Sequence, residues 1–209
     1  MSSKPAPVHP GASPPDPQHS PPHLRETFVS GEQVFKGLLL DVRRDVIALP
    51  DGQRATREYV VHPGAVVVVP ILDDGRLVLE RQFRYPVGRV MLEFPAGKLD
   101  AGEAPIVCAQ RELREETGYS ASEWAMAGVL HNAVGYSTEV IHVAFARGLV
   151  AGAAALDDGE LIDLALMPEA EMDAAAGRGD ITDAKSLVAL MWLQKWRSGV
   201  WSLQWFTPG

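Results

Sequence analysis

Short runs with alternating apolar and polar residues occupy the first part of the chain. They are rich in β-branched residues and predict strands at 34–40, 43–49 and 54–61. Asp51-Gly52 predicts a tight turn between the second and third strands. A three-stranded antiparallel sheet of this size is marginally stable by itself. We therefore expect it to pack on the main domain or on another subunit.

From residue 62 onward, strand and helix periods alternate. Residues 66–72 and 76–82 flank Asp73-Asp74-Gly75 and predict a hairpin. Further strands are predicted at 91–94, 124–131, 139–147 and 161–166, and helices at 105–117, 168–176 and 183–197. This order favours an α/β sandwich with a mixed sheet, preceded by a small antiparallel N-terminal sheet.

Composition divides the chain into three predicted regions. Residues 1–24 are rich in Pro, Ser and His and predict a disordered tail. Residues 25–61 would form the small β subdomain, and residues 62–209 the main domain. The single cysteine excludes an internal disulfide, and the N-terminal residues lack the apolar core of a signal peptide.

Net charge narrows the expected partners. The formal net charge of -8 argues against a general nucleic-acid or membrane-surface binder, since such proteins are usually basic. The longest apolar run, residues 65–72, is too short to cross a membrane. We expect a cytoplasmic protein, and an acidic protein of this kind can still bind phosphates when metal ions screen its carboxylates.

Three glutamates share one face of the predicted helix at 105–117. Glu112, Glu115 and Glu116 stand at positions i, i+3 and i+4 and would repel one another. Arg111 can pair with Glu115 at i+4, but one arginine does not balance three carboxylates. Hard oxygen ligands on an open face suit Mg²⁺ or Mn²⁺. Taken alone, the three glutamates fit a solvated acidic helix face at least equally well.

A glycine-containing loop precedes this helix. Gly97 and Gly102 permit backbone geometries that other residues resist. The loop can thereby bring a backbone carbonyl, such as that of Ala96, close to a bound metal.

The full spacing from residue 97 to residue 119 matches Gly-x5-Glu-x7-Arg-Glu-U-x-Glu-Glu-x-Gly-U, where U is a bulky aliphatic residue. This is the Nudix box, and the chain resembles the Nudix hydrolase superfamily. Leu113 fills the first U position, whereas Tyr119 departs from the aliphatic residue usual at the last. Every fixed position is filled, by Gly97, Glu103, Arg111, Glu112, Glu115, Glu116 and Gly118.

The resemblance implies a Nudix-type α/β/α sandwich and a role for each residue of the motif. Glu112 and Glu116 would be the principal metal ligands, joined by Glu115 and the Ala96 carbonyl. Glu103 would support the loop or bind a further metal through water. Arg111 would orient the glutamates, so that Arg111 and Glu115 also count as catalytic candidates.

Outside the box, the chain is similar to the ADP-ribose pyrophosphatase branch at residues 81–86, 93–98 and 179–185. This resemblance implies metal-dependent hydrolysis of ADP-ribose to AMP and ribose 5-phosphate. Another nucleotide sugar or nucleotide conjugate is the alternative substrate, and a non-catalytic nucleotide-binding regulatory module is the alternative function. The branch often uses the small N-terminal sheet in a homodimer with exchanged strands.

Several side chains outside the box are further candidates. Arg81 and Arg84 would bind phosphate or stack on a base, or they are ordinary surface arginines. Arg57 and Glu139 are additional substrate-binding candidates, although Glu139 could instead pair with the box arginine. Glu93 is either an extra metal ligand or the partner of a nearby basic residue.

A loop before the predicted strand at 161–166 would supply the general base. By resemblance, Glu160 would activate the attacking water, with Asp157 and Asp158 as competing assignments. Gly152 and Gly159 flank this loop and are consistent with a lid. The alternative is a solvated polar loop.

Overall fold

The computed structural model describes residues 21–208, which form two compact units. The first unit runs to Gly64 and also includes Ala133–Val140, and the second contains Ala65–Asn132 and the chain from Ile141 onward. Most of the predicted disordered tail, residues 1–24, lies outside the described residues. Its last part contains a 3-10 turn at Pro22–Leu24.

The described part of the first unit contains an antiparallel sheet of order β1-β2-β3, with strands β1 (Thr27–Lys36), β2 (Asp41–Ala48) and β3 (Arg54–Val61). The third strand confirms the prediction at 54–61. The prediction of a strand at 34–40 is wrong in its bounds, because the apolar residues after Lys36 form the turn. There the Gly37 N–H donates to the Leu40 carbonyl at 2.8 Å.

The described part of the second unit holds two sheets and three helices. A mixed sheet has the order β7-β4-β9-β8, with β4 and β9 parallel, and an antiparallel sheet has the order β10-β5-β6. This arrangement confirms the predicted α/β class with a mixed sheet. The elements are β4 (Ala65–Pro70), β5 (Leu77–Arg84), β6 (Arg89–Glu93), β7 (Ala96–Lys98), α1 (Pro105–Thr117), β8 (Tyr119–Leu130), β9 (Ile141–Ala151), β10 (Ile162–Met167), α2 (Glu169–Arg178) and α3 (Ala184–Arg197).

The predicted hairpin at 66–82 is wrong as a strand pair, although its turn is correct. Gly75 has a φ of +86°, and the Leu72 N–H donates to the Arg76 carbonyl at 2.9 Å. Beyond the bridge between Ile71 and Leu77, the two strands enter different sheets. β4 cannot pair further with β5, because β7 and β9 occupy both of its edges.

Strand β4 separates two apolar layers. Its side chains alternate between faces, so Val66 and Val68 pack towards Leu113 of α1, whereas Val67 and Val69 pack in the layer that contains Phe145. All of these side chains are fully buried. The apolar side of α1 is thereby fixed on the mixed sheet.

The bounds of α1 are those that the sequence predicts. Pro105 occupies its first turn, where a missing N–H costs no hydrogen bond. Gly118 ends the helix with a φ of +74°, a left-handed conformation that suits glycine. In residues 21–208, no helix has the length and apolar character needed to cross a membrane.

Candidate metal-binding and active site

The acidic face of α1 lies directly against β7 at Gly97. A Cβ added to Gly97 would stand 1.9 Å from the carboxyl carbon of Glu112, far inside van der Waals contact. A side chain at this position would therefore displace the Glu112 carboxylate. The glycine of the motif is required here by close approach, and its φ is not in the left-handed region.

Arg111 is the hub of one group of carboxylates. Its Nε donates to Glu103 Oε1 at 3.0 Å, and its Nη1 donates to Glu112 Oε1 at 2.7 Å and to Glu115 Oε2 at 3.1 Å. The contact with Glu115 confirms the predicted i, i+4 pair. Nη2 also donates to the Lys98 carbonyl at 3.0 Å, so the same side chain ties the loop to the helix.

Glu103 has the loop-supporting arrangement. Arg111 binds both of its carboxylate oxygens, and the Asp100 N–H donates to Oε2 at 3.0 Å. The hydrogen bonds from Arg111 are the main reason that the pKa of Glu103 falls to about 2. Of the two roles predicted for Glu103, support of the loop is the one for which the structure provides contacts.

Glu116 has a different environment from the carboxylates around Arg111. It is 5% exposed, and its Oε2 accepts a hydrogen bond from the Ala96 N–H at 3.0 Å. Burial raises the pKa of Glu116, and the nearby charges of Glu80 and Glu112 raise it further. A buried carboxyl with a raised pKa beside other carboxylates marks a candidate functional site, and a bound cation would favour its ionised form.

Glu80 on β5 belongs to the same site and is absent from the sequence-based candidates. It is fully buried beside the carboxyl of Glu116, and no N–H or hydroxyl group within residues 21–208 donates to its carboxylate oxygens. Burial raises its pKa as well. The signal in the sequence is a charged residue directly after the apolar run 77–79, at a position that continues a buried strand.

Glu93 is held by two cations. Arg84 binds it through two parallel hydrogen bonds of 2.9 Å, and Lys185 of α3 contacts its Oε2. Burial raises the pKa of Glu93, but the Arg84 hydrogen bonds and the charge of Lys185 outweigh burial and lower it. Of the two predicted roles, the structure therefore displays pairing with basic residues. Lys185 in turn donates to Asp183 at 2.9 Å.

The other predicted substrate-binding residues are more dispersed. Arg81 and Arg84 stand three residues apart on β5, so they point to opposite faces of the strand. In the first unit, Arg57 Nε donates to Glu26 Oε2 at 3.0 Å. Also in that unit, Glu139 Oε1 lies 3.6 Å from His62 Nε2.

The loop that carries Glu160 is attached to α1. The Ala155 N–H donates to the Glu115 carbonyl at 2.9 Å, and a Cβ on Gly118 would lie 2.6 Å from the Gly152 carbonyl oxygen. The charge of Glu160 contributes to raising the pKa of Glu116, as it does for Glu112. The charge of Glu160 therefore adds to the negative potential at the α1 carboxylates.

The donor set fits a divalent cation that also binds water and phosphate. Within residues 21–208, no group of three or more carboxylate, histidine or cysteine side chains forms a ready-made metal shell. The site nevertheless contains the hard oxygen donors of Glu112 and Glu116 and the unpartnered oxygens of Glu80. Mg²⁺ keeps several waters and uses one or two carboxylates together with substrate phosphates, so it does not require a closed protein cage.

Comparisons with known proteins identify the family. The NUDIX domain model matches residues 61–190. An ADP-ribose pyrophosphatase of Bacillus subtilis is 35% identical over 82% of this chain and 94% of its own length. A methanol dehydrogenase activator of Bacillus methanolicus is 37% identical over the same shares of the two chains.

The fold agrees with this match. The crystal structure of an ADP compounds hydrolase superposes with a TM-score of 0.77 at 27% identity, covering 84% of this chain and 96% of that one. The Gly97–Glu112 contact and the Arg111 hub account for the spacing of the sequence motif. The chain therefore belongs to the Nudix family.

Proposed function

We propose that the protein hydrolyses a nucleoside diphosphate sugar, with ADP-ribose as the leading substrate and AMP and ribose 5-phosphate as products. The observation that carries this proposal is the buried, uncompensated carboxylate of Glu116 beside Glu112 on α1. The name of the Bacillus subtilis relative and that of the superposed hydrolase both support an ADP-containing substrate. Nudix ADP-ribose pyrophosphatases depend on divalent metal ions, and we propose Mg²⁺ or Mn²⁺ here.

Each residue of the site has a proposed task. Glu112, Glu116 and the Ala96 carbonyl would hold the cation, with Glu115 as a further ligand. A bound Mg²⁺ or Mn²⁺ would neutralise the diphosphate and polarise its phosphorus–oxygen bonds. Arg111 holds Glu112 and Glu115 in place through its 2.7 and 3.1 Å contacts.

Two arginines of β5 would act on the substrate. Arg84 has its guanidinium oriented by Glu93, and we propose that its remaining N–H groups face a substrate phosphate. Arg81 is exposed and would contact the nucleotide from the other face of the strand. Glu93 accordingly positions Arg84 and is not proposed as a metal ligand.

The attacking water needs a base, and we propose Glu160. In this step the water oxygen forms a bond to one phosphorus, and its proton passes to the Glu160 carboxylate. The bond between that phosphorus and the bridging oxygen breaks, and the other half of the substrate leaves as a phosphate monoester that keeps the bridging oxygen and the electron pair. Glu160 matches the glutamate of the ADP-ribose pyrophosphatase branch and is therefore preferred to Asp157 and Asp158, and its charge contributes to the raised pKa of both Glu112 and Glu116. Replacing Glu160 by Gln should lower kcat by about 100-fold, whereas Asp157→Asn and Asp158→Asn should leave it nearly unchanged.

The test of the activity is release of AMP from ADP-ribose in the presence and absence of Mg²⁺. A panel of nucleotide sugars and other nucleotide conjugates ranks substrates by kcat/KM, and hydrolysis in ¹⁸O-labelled water identifies the phosphorus that is attacked. We expect Mg²⁺-dependent AMP release that is fastest with ADP-ribose. Absence of turnover with every member of the panel, despite tight nucleotide binding, would exclude the enzymatic function.

A regulatory role is the second candidate. The observation that favours it is the similarity to a methanol dehydrogenase activator, which is as extensive as that to the pyrophosphatase. A regulator would change the rate of a partner enzyme, with its effect measured at fixed nucleotide concentration. If that effect persists in a variant without hydrolytic activity, regulation by binding replaces hydrolysis as the function.

We also propose that the β1–β3 sheet forms a homodimer interface. All ten residues of β1 are exposed, including the apolar Phe28, Val29, Val34 and Phe35. An exposed apolar strand of this length is a typical site for association between chains. Phe35→Glu should shift the protein from dimer to monomer in light scattering. Val150→Glu on β9, where the valine is also exposed, is the matched control and should not.

A further inference from the structure

One face of β5 carries alternating polar residues. Glu80, Gln82 and Arg84 point to the same side of the strand because side chains alternate along it. Glu80 stands opposite Glu93 in the β5–β6 ladder, and three residues after Glu93 the Ala96 N–H donates to Glu116 of α1 at 3.0 Å. The carboxylates of Glu80 and Glu116 interact, so this face of the strand meets the proposed metal ligands at Glu80.

The hydrogen-bond donors near this face are engaged by other acceptors. Arg84 and Lys185 donate to Glu93, and the Ala96 N–H donates to Glu116. Both carboxylate oxygens of Glu80 and the Oε1 of Gln82 are buried, and no N–H or hydroxyl group in the part of the chain that the structure describes donates to them; Glu80 contacts the carboxyl of Glu116 instead. Buried acceptors are usually satisfied, and leaving a carboxylate unsatisfied is unfavourable. A bound ligand that carries hydrogen-bond donors would satisfy these acceptors.

We propose that Glu80 and Gln82 form the outer shell of the metal centre by accepting hydrogen bonds from water bound to the divalent cation that Glu112 and Glu116 hold. Water on Mg²⁺ or Mn²⁺ has two protons to donate, and the partners of metal-bound groups strongly affect metal affinity. Water can donate both to the neutral amide oxygen of Gln82 and to the carboxylate of Glu80, so one kind of donor suits both side chains. This inference rests on the metal site of the proposed function and adds two positioning residues to it.

The test is binding of Mn²⁺ alone, measured by isothermal titration calorimetry, with water-proton relaxation to count the waters on bound Mn²⁺. Glu80→Gln should raise the Kd for Mn²⁺ by about 10- to 100-fold and leave the number of bound waters unchanged. Gln82→Leu changes no charge and should raise the Kd by about 10-fold. Glu171→Gln, an exposed glutamate of α2, is the control for net charge and should match the unmodified protein.

Each other result overturns the inference. An unchanged Kd in Glu80→Gln means that Glu80 is outside the metal centre, and a gain of one bound water means that it is a direct ligand. Weakened binding in Glu80→Gln but not in Gln82→Leu means that only the charge matters.

Thermal unfolding of the metal-free variants separates these results from misfolding. Loss of an unsatisfied buried carboxylate should not lower the Tm, and Glu80→Val, which suits a buried strand, provides a second variant. If the unmodified protein binds no Mn²⁺, the metal site of the proposed function fails too. If it binds Mn²⁺ and hydrolyses ADP-ribose while both β5 variants bind normally, only the outer shell is refuted.

Discussion

Carboxylates at α1 have two different environments. On the Arg111 side, Arg111 binds Glu103, Glu112 and Glu115 at distances of 2.7 to 3.1 Å. On the Glu116 side, Glu116 is 5% exposed and accepts a hydrogen bond from the neutral Ala96 N–H. Arg111 partly compensates the first group, which supports the loop and the helix. Glu116 has no arginine partner of this kind within residues 21–208, and together with Glu112, one helical turn before it, it forms the cation site that we propose.

Glu80 extends the second group from another element of the fold. It is fully buried on β5 and interacts with Glu116, while Arg84 and Lys185 beside it are bound to Glu93. Arg84 and Lys185 both bind Glu93, so neither of them donates a hydrogen bond to the neighbouring Glu80. This unequal distribution of charge supports the proposed cation site over an ordinary solvated acidic surface.

The largest effect is expected for Glu116→Gln, which removes the uncompensated charge while keeping the shape of the side chain. Loss of one metal ligand should lower kcat/KM for ADP-ribose by at least about 100-fold. Glu115→Gln, on the side bound by Arg111, should cost only about 10-fold. Steady-state kinetics at saturating Mg²⁺ measures both variants, and equal losses would contradict the division into two groups.

Local signals made α1 and the Arg111 side predictable from the sequence. Pro105, Gly118 and the i, i+4 spacing of Arg111 and Glu115 act within a few residues of one another, and the helix has the predicted bounds. The bounds of β3 were also predictable, whereas those of β1 were not.

The other side of the site depends on contacts that are distant in sequence. Lys185 meets Glu93 across 92 residues, and Glu116 meets the Ala96 N–H across 20. No spacing rule relates Glu80 on β5 to α1, so the sequence offered only a charged residue at the end of an apolar run. The sequence also did not reveal that β4 and β5 lie in different sheets, because β7 and β9, which are distant in sequence, pair with the two edges of β4.

Removing Arg111 should convert the compensated side into an uncompensated one. Arg111→Ala leaves three carboxylates without their cation, and because Arg111 is 26% exposed we expect a loss of about 2 kcal/mol in the free energy of unfolding. Arg114→Ala is the control on the same helix, since Arg114 is 64% exposed and should contribute less than about 0.5 kcal/mol. Urea denaturation without metal measures both. Equal stability of the two variants would mean that Arg111 is not the hub of this side.

Gly97→Ala tests whether close approach is required between β7 and α1. The new Cβ would stand 1.9 Å from the Glu112 carboxyl carbon, so the carboxylate must move away from its place. We expect about 10-fold weaker Mn²⁺ binding in calorimetry. The control is Gly177→Ala in α2, where nothing lies within 4 Å and alanine should stabilise the helix slightly. Unchanged Mn²⁺ binding in Gly97→Ala would show that Glu112 does not need its present position.

The smallest expected effect concerns the pH dependence of the free energy of unfolding of the metal-free protein. The pKa of Glu103 is lowered to about 2, mainly by Arg111 hydrogen bonds, so its contribution to stability is present above about pH 4.5 and is lost as the pH falls towards 2. Burial raises the pKa of Glu116, so its contribution is present below about pH 4.5 and is lost as the pH rises. The two sides of α1 should therefore have opposite pH slopes.

Urea denaturation from about pH 3 to about pH 8 resolves the two slopes. Glu103→Gln should remove about 1 kcal/mol of the stability gained between acid and neutral pH, whereas Glu116→Gln should reduce the decline at higher pH. Added Mg²⁺ should reduce that decline in the unmodified protein, because a bound cation favours the ionised carboxylate of Glu116. The contrary result is that both variants change the free energy of unfolding over the same pH range. In that case the Arg111 side and the Glu116 side do not differ in charge compensation, and the Glu116 carboxylate is not evidence for the cation site.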